Sequence, residues 1–244
     1  MILIAEESTD KPESISIQYH VDKVPWITLV FCYLLIRISC YPKFSGVLFI
    51  FLYKEVYFLI DIIVAKTEEK NLARIHHSKE PVKLGEGGFQ GKEISEGAIQ
   101  RAMSAIRKHM IRIRQYKCEK IYAYATSAFR ESLNGEELID KINHKFNVYV
   151  NIIPGDREAE LIYRGVRQSC KQIRKKFMII DIGGGSNEII IADHQVIFWK
   201  DSLQLGMARL LNKFKPSDPI TTQEISEVES YLEEKMHHVF EAYE

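Results

Sequence analysis

The sequence has no excess charge of either sign: 33 Lys and Arg balance 33 Asp and Glu over 244 residues, for a formal net charge of zero. No overall positive field advertises nucleic acid as a partner, and any positive charge that meets an anion must be local. Cysteine is scarce. Cys32, Cys40, Cys118 and Cys170 are scattered without C-x-x-C spacing or a clustered histidine, which argues against a zinc site and a disulfide framework and fits a reducing cytoplasm. Secretion is not supported, since "MILIAEESTDKPES" is acidic and does not have the basic start, apolar run and small-residue cleavage site of a signal peptide.

Apolar residues make up 46% of the chain, enough for one large domain or two small ones with cores of their own. Their distribution is uneven. Over residues 26–65 the chain reads "WITLVFCYLLIRISCYPKFSGVLFIFLYKEVYFLIDIIVA", aromatic and aliphatic with neither a helical nor a strand period. Residues 27–36 and 47–65 read either as membrane-associated segments or as buried strands. The first run is short of the roughly 20 residues a spanning helix needs. The second carries Lys54, Glu55 and Asp61, so a membrane association is the less favoured reading.

After residue 65 the text alternates. "LIDIIVAKTEEKNLARIHHSKEPVKLGEGG" predicts a strand, a polar turn at 68–71, a second strand and a glycine-rich loop at 85–88. From Ser95 a helix follows, with Ile99, Met103, Ile106, Met110 and Ile113 at helical spacing and Arg101, Arg107, Lys108 and Arg112 read as its solvated face. A short strand at 121–125, a helix at 134–145, a strand in "VYVNII" and a helix after Pro154 and Gly155 come next. This alternation predicts an α/β layer fold.

Residues 177–199, "FMIIDIGGGSNEIIIADHQVIFW", read as three strands with a glycine turn between the first two. A hairpin needs one or two glycines; three in a row suggest that something approaches the backbone closely. A phosphate suits that place, because consecutive amides without Cβ atoms form an anion-binding nest and Ser186 adds a hydroxyl. Asp181 and Glu188 flank it. Carboxylates repel phosphate unless a cation such as Mg²⁺ lies between them, so the pair implies a metal. As an isolated pattern G-G-G-S also fits a plain β-turn. It is neither a Walker loop, which needs G-x-x-x-x-G-K-[ST], nor a dinucleotide fingerprint, which opens a helix.

"VKLGEGG", "YATSAFRES", "IPGDREAELIYRGVR", "DIGGGSNEIII" and "DSLQLGMARL", in that order and spacing, resemble the exopolyphosphatase and guanosine pentaphosphate phosphohydrolase (Ppx/GppA) family of the actin, Hsp70 and sugar-kinase superfamily. The resemblance implies an α/β protein of two ribonuclease H-like lobes, here 61–165 and 166–244, after an atypical hydrophobic segment 1–60. It also implies a homodimer and Mg²⁺-dependent release of orthophosphate from polyphosphate or guanosine pentaphosphate. The family's water-activating acid is the second of a G-x-E-E-A element; "GDREA" puts Arg157 in the first slot and leaves Glu158 in the second. Glu158 is therefore the expected general base. Arg130 matches a family arginine near the phosphates, Gly183, Gly184, Gly185 and Ser186 the second phosphate loop, and Gly206 the "LGMARL" element. Asp181 and Glu188 are the expected Mg²⁺ ligands.

The family's first phosphate loop, D-x-G-[ST]-N-[ST], has no counterpart before "KTEEKN", and the second lobe is expected to be incomplete at its C-terminal end. Residues 1–60 then read as a replaced or frame-slipped segment, or as that of a membrane-associated relative without catalysis. Two other functions stay open: a noncatalytic protein that binds polyphosphate or guanosine tetraphosphate, and a sugar or acetate kinase relative, against which Glu158 counts. Thr221 and Glu224 form an expected capping box, followed by Ile225, Val228, Leu232 and Val239 on one helix face.

Overall fold

The computed structural model of the chain describes residues 2–4, 48–53, 59–68, 71–84, 93–169 and 175–243. The predicted segments at 27–36 and 85–88 lie outside these. The architecture is mixed α/β, and contacts divide it into two compact units: Tyr57–Pro154, and Met1–Val56 together with Gly155–Glu244. Among the described residues no helix is long and apolar enough to cross a membrane.

In the longer unit a five-stranded sheet runs in the order β1–β2–β7–β8–β9, from β1 (Ile2–Ile4), β2 (Leu48–Tyr53), β7 (Phe177–Ile182), β8 (Asn187–Ala192) and β9 (Ile197–Leu203). The last three form the antiparallel meander that the sequence predicted, and β2 lies parallel to β7. Side chains alternate between the two faces of a strand. One face, with Met178, Ile180, Ile182, Ile189 and Ile191, packs on α5 (Met207–Phe214) and α6 (Thr222–Tyr243) through Met207, Leu210, Val228, Leu232, Met236 and Val239. The other face, with Phe177, Ile179, Ile190 and Ala192, packs on Ala159, Tyr163 and Val166 of α4 (Gly155–Ser169). This packing is why α4 groups by contact with the sheet it covers, and the two units divide at 154/155.

The unit Tyr57–Pro154 begins with two antiparallel strands, β3 (Leu59–Glu68) and β4 (Asn71–Pro81), with Glu68 paired to Asn71; residues 69 and 70 of the predicted turn lie outside the described residues. Helix α1 (Glu96–Gln115) starts where Ser95 Oγ accepts the amide of Ala98 at 3.3 Å. Strands β5 (Ala123–Ala125) and β6 (Val150–Ile152) pair in parallel, with α2 (Ser127–Arg130) and α3 (Gly135–Phe146) between them in sequence. The face of α1 that is most buried is Ala98, Ala102, Ala105 and His109, while Ile99, Met103 and Ile106 are only partly covered. Of the expected isoleucine and methionine stripe, Met110 is buried and Ile99, Met103 and Ile106 flank the contact, because an alanine row lets the helix approach its neighbours more closely. Arg101, Arg107, Lys108 and Arg112 lie on the exposed side of α1 as expected, and two of them also make bonds there: Arg101 Nε donates to Val82 O at 3.0 Å and Lys108 pairs with Glu80 at 2.7 Å.

Candidate functional site

The strand pairing brings the expected acids together. Asp181 on β7 lies opposite Glu188 on β8, and Glu188 lies opposite Ser202 on β9. By the two-residue period of a strand this row shares the α4 face with Ile179, Ile190 and Lys200. It sits at the glycine-turn end of the sheet. Asp181 and Glu188 are fully buried, and Glu158, in the first turn of α4, is only 8% exposed. Glu188 Oε1 accepts the Ser202 hydroxyl at 2.8 Å, and the Ser186 side chain also hydrogen-bonds it.

Burial, then the charges of Glu158 and Asp181, push the Glu188 carboxyl up to about 7 against the help of the two serines. Glu188 is thus repelled by both neighbouring carboxylates, and a divalent cation beside it would offset that repulsion. Among the described residues no three His, Cys, Asp or Glu side chains converge into a closed metal cage.

The glycine loop is approached closely on one side by protein. Met207 N donates to Gly183 O at 3.0 Å, Ala208 N to Gly184 O at 2.9 Å, and Gly206 N to Gly185 O at 3.2 Å. Arg209 Nε adds a bond to Gly185 O at 3.1 Å. The first turn of α5 therefore spends its amides on the loop's carbonyls. In a planar trans peptide the N–H points opposite to the C=O of the same unit. With the carbonyls of residues 183, 184 and 185 turned toward α5, the amides of Gly184, Gly185 and Ser186 are turned away from it. The Gly183 amide closes the turn on Ser186 O at 3.0 Å. Gly206 is needed for this contact, because a Cβ there would stand 2.3 Å from Gly185 C and 2.4 Å from Gly184 C and O.

The chain matches the Ppx/GppA phosphatase family over residues 62–244. It belongs to that family. It is 34% identical over 161 residues to a bifunctional 3-dehydroquinate synthase/phosphatase of Fusobacterium nucleatum, covering 63% of this chain and 24% of that one. It is 30% identical over 145 residues to a guanosine-5'-triphosphate,3'-diphosphate pyrophosphatase of Photobacterium profundum, covering 59% of this chain and 28% of that one. A crystal structure of an exopolyphosphatase from Cytophaga hutchinsonii superposes with a TM-score of 0.73 at 30% identity, over 79% of this chain and 61% of that one. The chain thus spans only about a quarter of these two curated relatives' length.

Of the residues singled out in the sequence, this Ppx/GppA family member gathers Glu158, Asp181, Glu188, the 183–186 loop and Gly206 in one unit. Arg130 belongs to the other unit, at the end of α2, where its Nη1 donates to Ile153 O at 2.7 Å. Sequence reasoning missed Ser202, Arg209 and Lys200. The first two lie inside the "DSLQLGMARL" motif, and a hydroxyl and a guanidinium flanking a glycine were the available signal. Lys200 Nζ contacts Glu160 Oε1 at 2.8 Å and Asp156 O at 3.1 Å, both on α4.

Proposed function

We propose that the chain is a phosphohydrolase of ribonuclease H-like architecture that releases terminal orthophosphate from inorganic polyphosphate or guanosine pentaphosphate. The observation that carries this reading is the set of three successive amides, Gly184, Gly185 and Ser186, turned away from α5 next to the acidic row of Asp181, Glu188 and Glu158. Amides so aligned offer an anion a ready set of donors. The names of the relatives above fit it.

In this reading the loop amides hold the oxygens of the terminal phosphoryl group, and Glu158 accepts a proton from the water that attacks its phosphorus. The bond from phosphorus to the bridging oxygen breaks, and the shortened chain leaves with that oxygen. Asp181 and Glu188 would hold Mg²⁺, which supplies charge neutralisation to the phosphates when bound.

The test is Glu158→Gln in the full chain, assayed for phosphate release from polyphosphate and from guanosine pentaphosphate. Loss of a general base lowers kcat on the order of 10²- to 10⁴-fold. Undiminished release removes Glu158 from the role. Binding of polyphosphate without any release by the wild-type chain would instead mark it as a noncatalytic binder.

A further inference from the structure

Glu158 rides on a helix whose attachments to the sheet are of two kinds. Along its middle, Ala159, Tyr163 and Val166 pack on Phe177, Ile179, Ile190 and Ala192. Such apolar contact is non-directional and resists separation more than rotation or sliding. Direction comes from polar attachments. Tyr163 OH donates to Asp193 O at 3.0 Å toward the far end. At the first turn, Lys200 of β9 donates to Asp156 O at 3.1 Å and to Glu160 Oε1 at 2.8 Å, with Asp156 Oδ2 at 3.5 Å.

The clasp is more than one ion pair. Arg157, which stands where the family motif has an acid, donates from Nη1 to Glu160 Oε2 at 2.7 Å. Both carboxylate oxygens of Glu160 are thereby committed, and its carboxyl is held down to about 2, chiefly by Lys200 and then by Arg157. Burial works against the Lys200 ammonium, yet Glu160 and Asp156 outweigh it and keep the group above its ordinary value. At 3.6 residues per turn Glu158 lies about 200° round the helix from both Asp156 and Glu160. It is on the far side of the axis from the clasp, so any rotation of this turn swings Glu158 across the acidic row.

We propose that Lys200 is a positioning residue: by clasping the first turn of α4 to β9 through Asp156 O and Glu160, it fixes the rotation of that turn and hence the place of the Glu158 carboxylate. The inference rests on Glu158 being the base of the proposed hydrolysis. Misplacing a catalytic group by about an ångström costs up to roughly 100-fold in rate.

The experiment compares Lys200→Met, Lys200→Arg, Glu158→Gln and the double variant Lys200→Met/Glu158→Gln in the full chain. The readouts are steady-state phosphate release from long-chain polyphosphate and amide exchange over residues 159–161. Lys200→Met is expected to lower kcat on the order of tenfold while KM stays within about twofold, and Lys200→Arg to recover most of the loss. The same change in the Glu158→Gln background should cost nothing further, and exchange at 159–161 should rise in Lys200→Met alone among the single variants. An equal loss in the Glu158→Gln background, or an effect on KM only, overturns the proposal. Failure of the hydrolase reading looks different: Glu158→Gln is as active as wild type, or wild type releases no phosphate. Exchange then decides alone, and equal protection in wild type and Lys200→Met sinks the clasp.

Discussion

Gly206 and Gly165 show at the scale of single residues that a glycine is required at one place and replaceable at another. At Gly206 the backbone is ordinary extended chain, φ −61° and ψ 153°, which any residue adopts. What excludes a side chain is the glycine loop, whose backbone atoms stand 2.3–2.4 Å from where Cβ would be. Backbone cannot move aside as a flexible side chain can. Gly165, inside α4, has nothing within 4 Å of its Cβ position. Gly206→Ala is therefore expected to destabilise by about 1–3 kcal/mol and to disturb the loop, and Gly165→Ala to stabilise by about 0.5–1 kcal/mol. Urea unfolding of the two variants measures both, and equal midpoints would refute the contact argument.

At the scale of elements, α6 has a start that chemistry can switch. Thr221 N donates to Glu224 Oε2 at 2.8 Å, and Glu224 N donates back to Thr221 Oγ1 at 3.2 Å, the reciprocal pair predicted from the sequence. Ser217 adds bonds from its amide at 2.9 Å and its hydroxyl at 2.7 Å. The Thr221 amide, then Ser217, hold the Glu224 carboxyl down to about 2 from its ordinary 4.5. A depressed carboxylate stabilises the fold above its unfolded value, and the contribution is lost as the pH falls through the folded value. The difference in Tm between wild type and Glu224→Gln should be full at neutral pH and shrink from pH 4.5 toward pH 2. A difference independent of pH would deny the carboxylate its role.

The cap and the apolar positions of α6 were legible in the sequence because both are local, with partners three or four residues apart. The three-stranded meander was legible because its strands follow one another directly along the chain. Helix α1 follows from the spacing of its isoleucines and methionines, of which Met110 is buried, but that count does not single out Ala98, Ala102 and Ala105, which are more fully buried and belong to the core cluster. At the candidate site, Glu158, Asp181 and Glu188 stood out by motif, while Lys200 did not, since its partner Glu160 is 40 residues away. Nor could the sequence say which way the loop's carbonyls turn, which depends on a helix that begins more than twenty residues later.

For the whole molecule, the arrangement of cores makes its own prediction. Among the described residues the cluster built on Leu138, Ile142, Ala98 and Val82 lies wholly within Tyr57–Pro154. The clusters on the two faces of the five-stranded sheet lie wholly in the other unit. That second unit is assembled from chain on both sides of the first, with β2 parallel to β7 in register from Leu48↔Phe177 to Tyr53↔Ile182. Pairing over such a separation leaves no local signal, because an apolar run shows that a strand is buried and not what it pairs with. Leu138 and Leu232 are 1% and 0% exposed, and truncating either to alanine should cost about 2–5 kcal/mol. The cost should appear in different places. Leu138→Ala is expected to raise amide exchange in α1 and α3 while β7, β8 and α6 keep their protection, and Leu232→Ala to do the reverse. Loss of protection spread evenly over both sets of elements in either variant would mean that the two cores unfold as one, and the division at 154/155 would then have no energetic content.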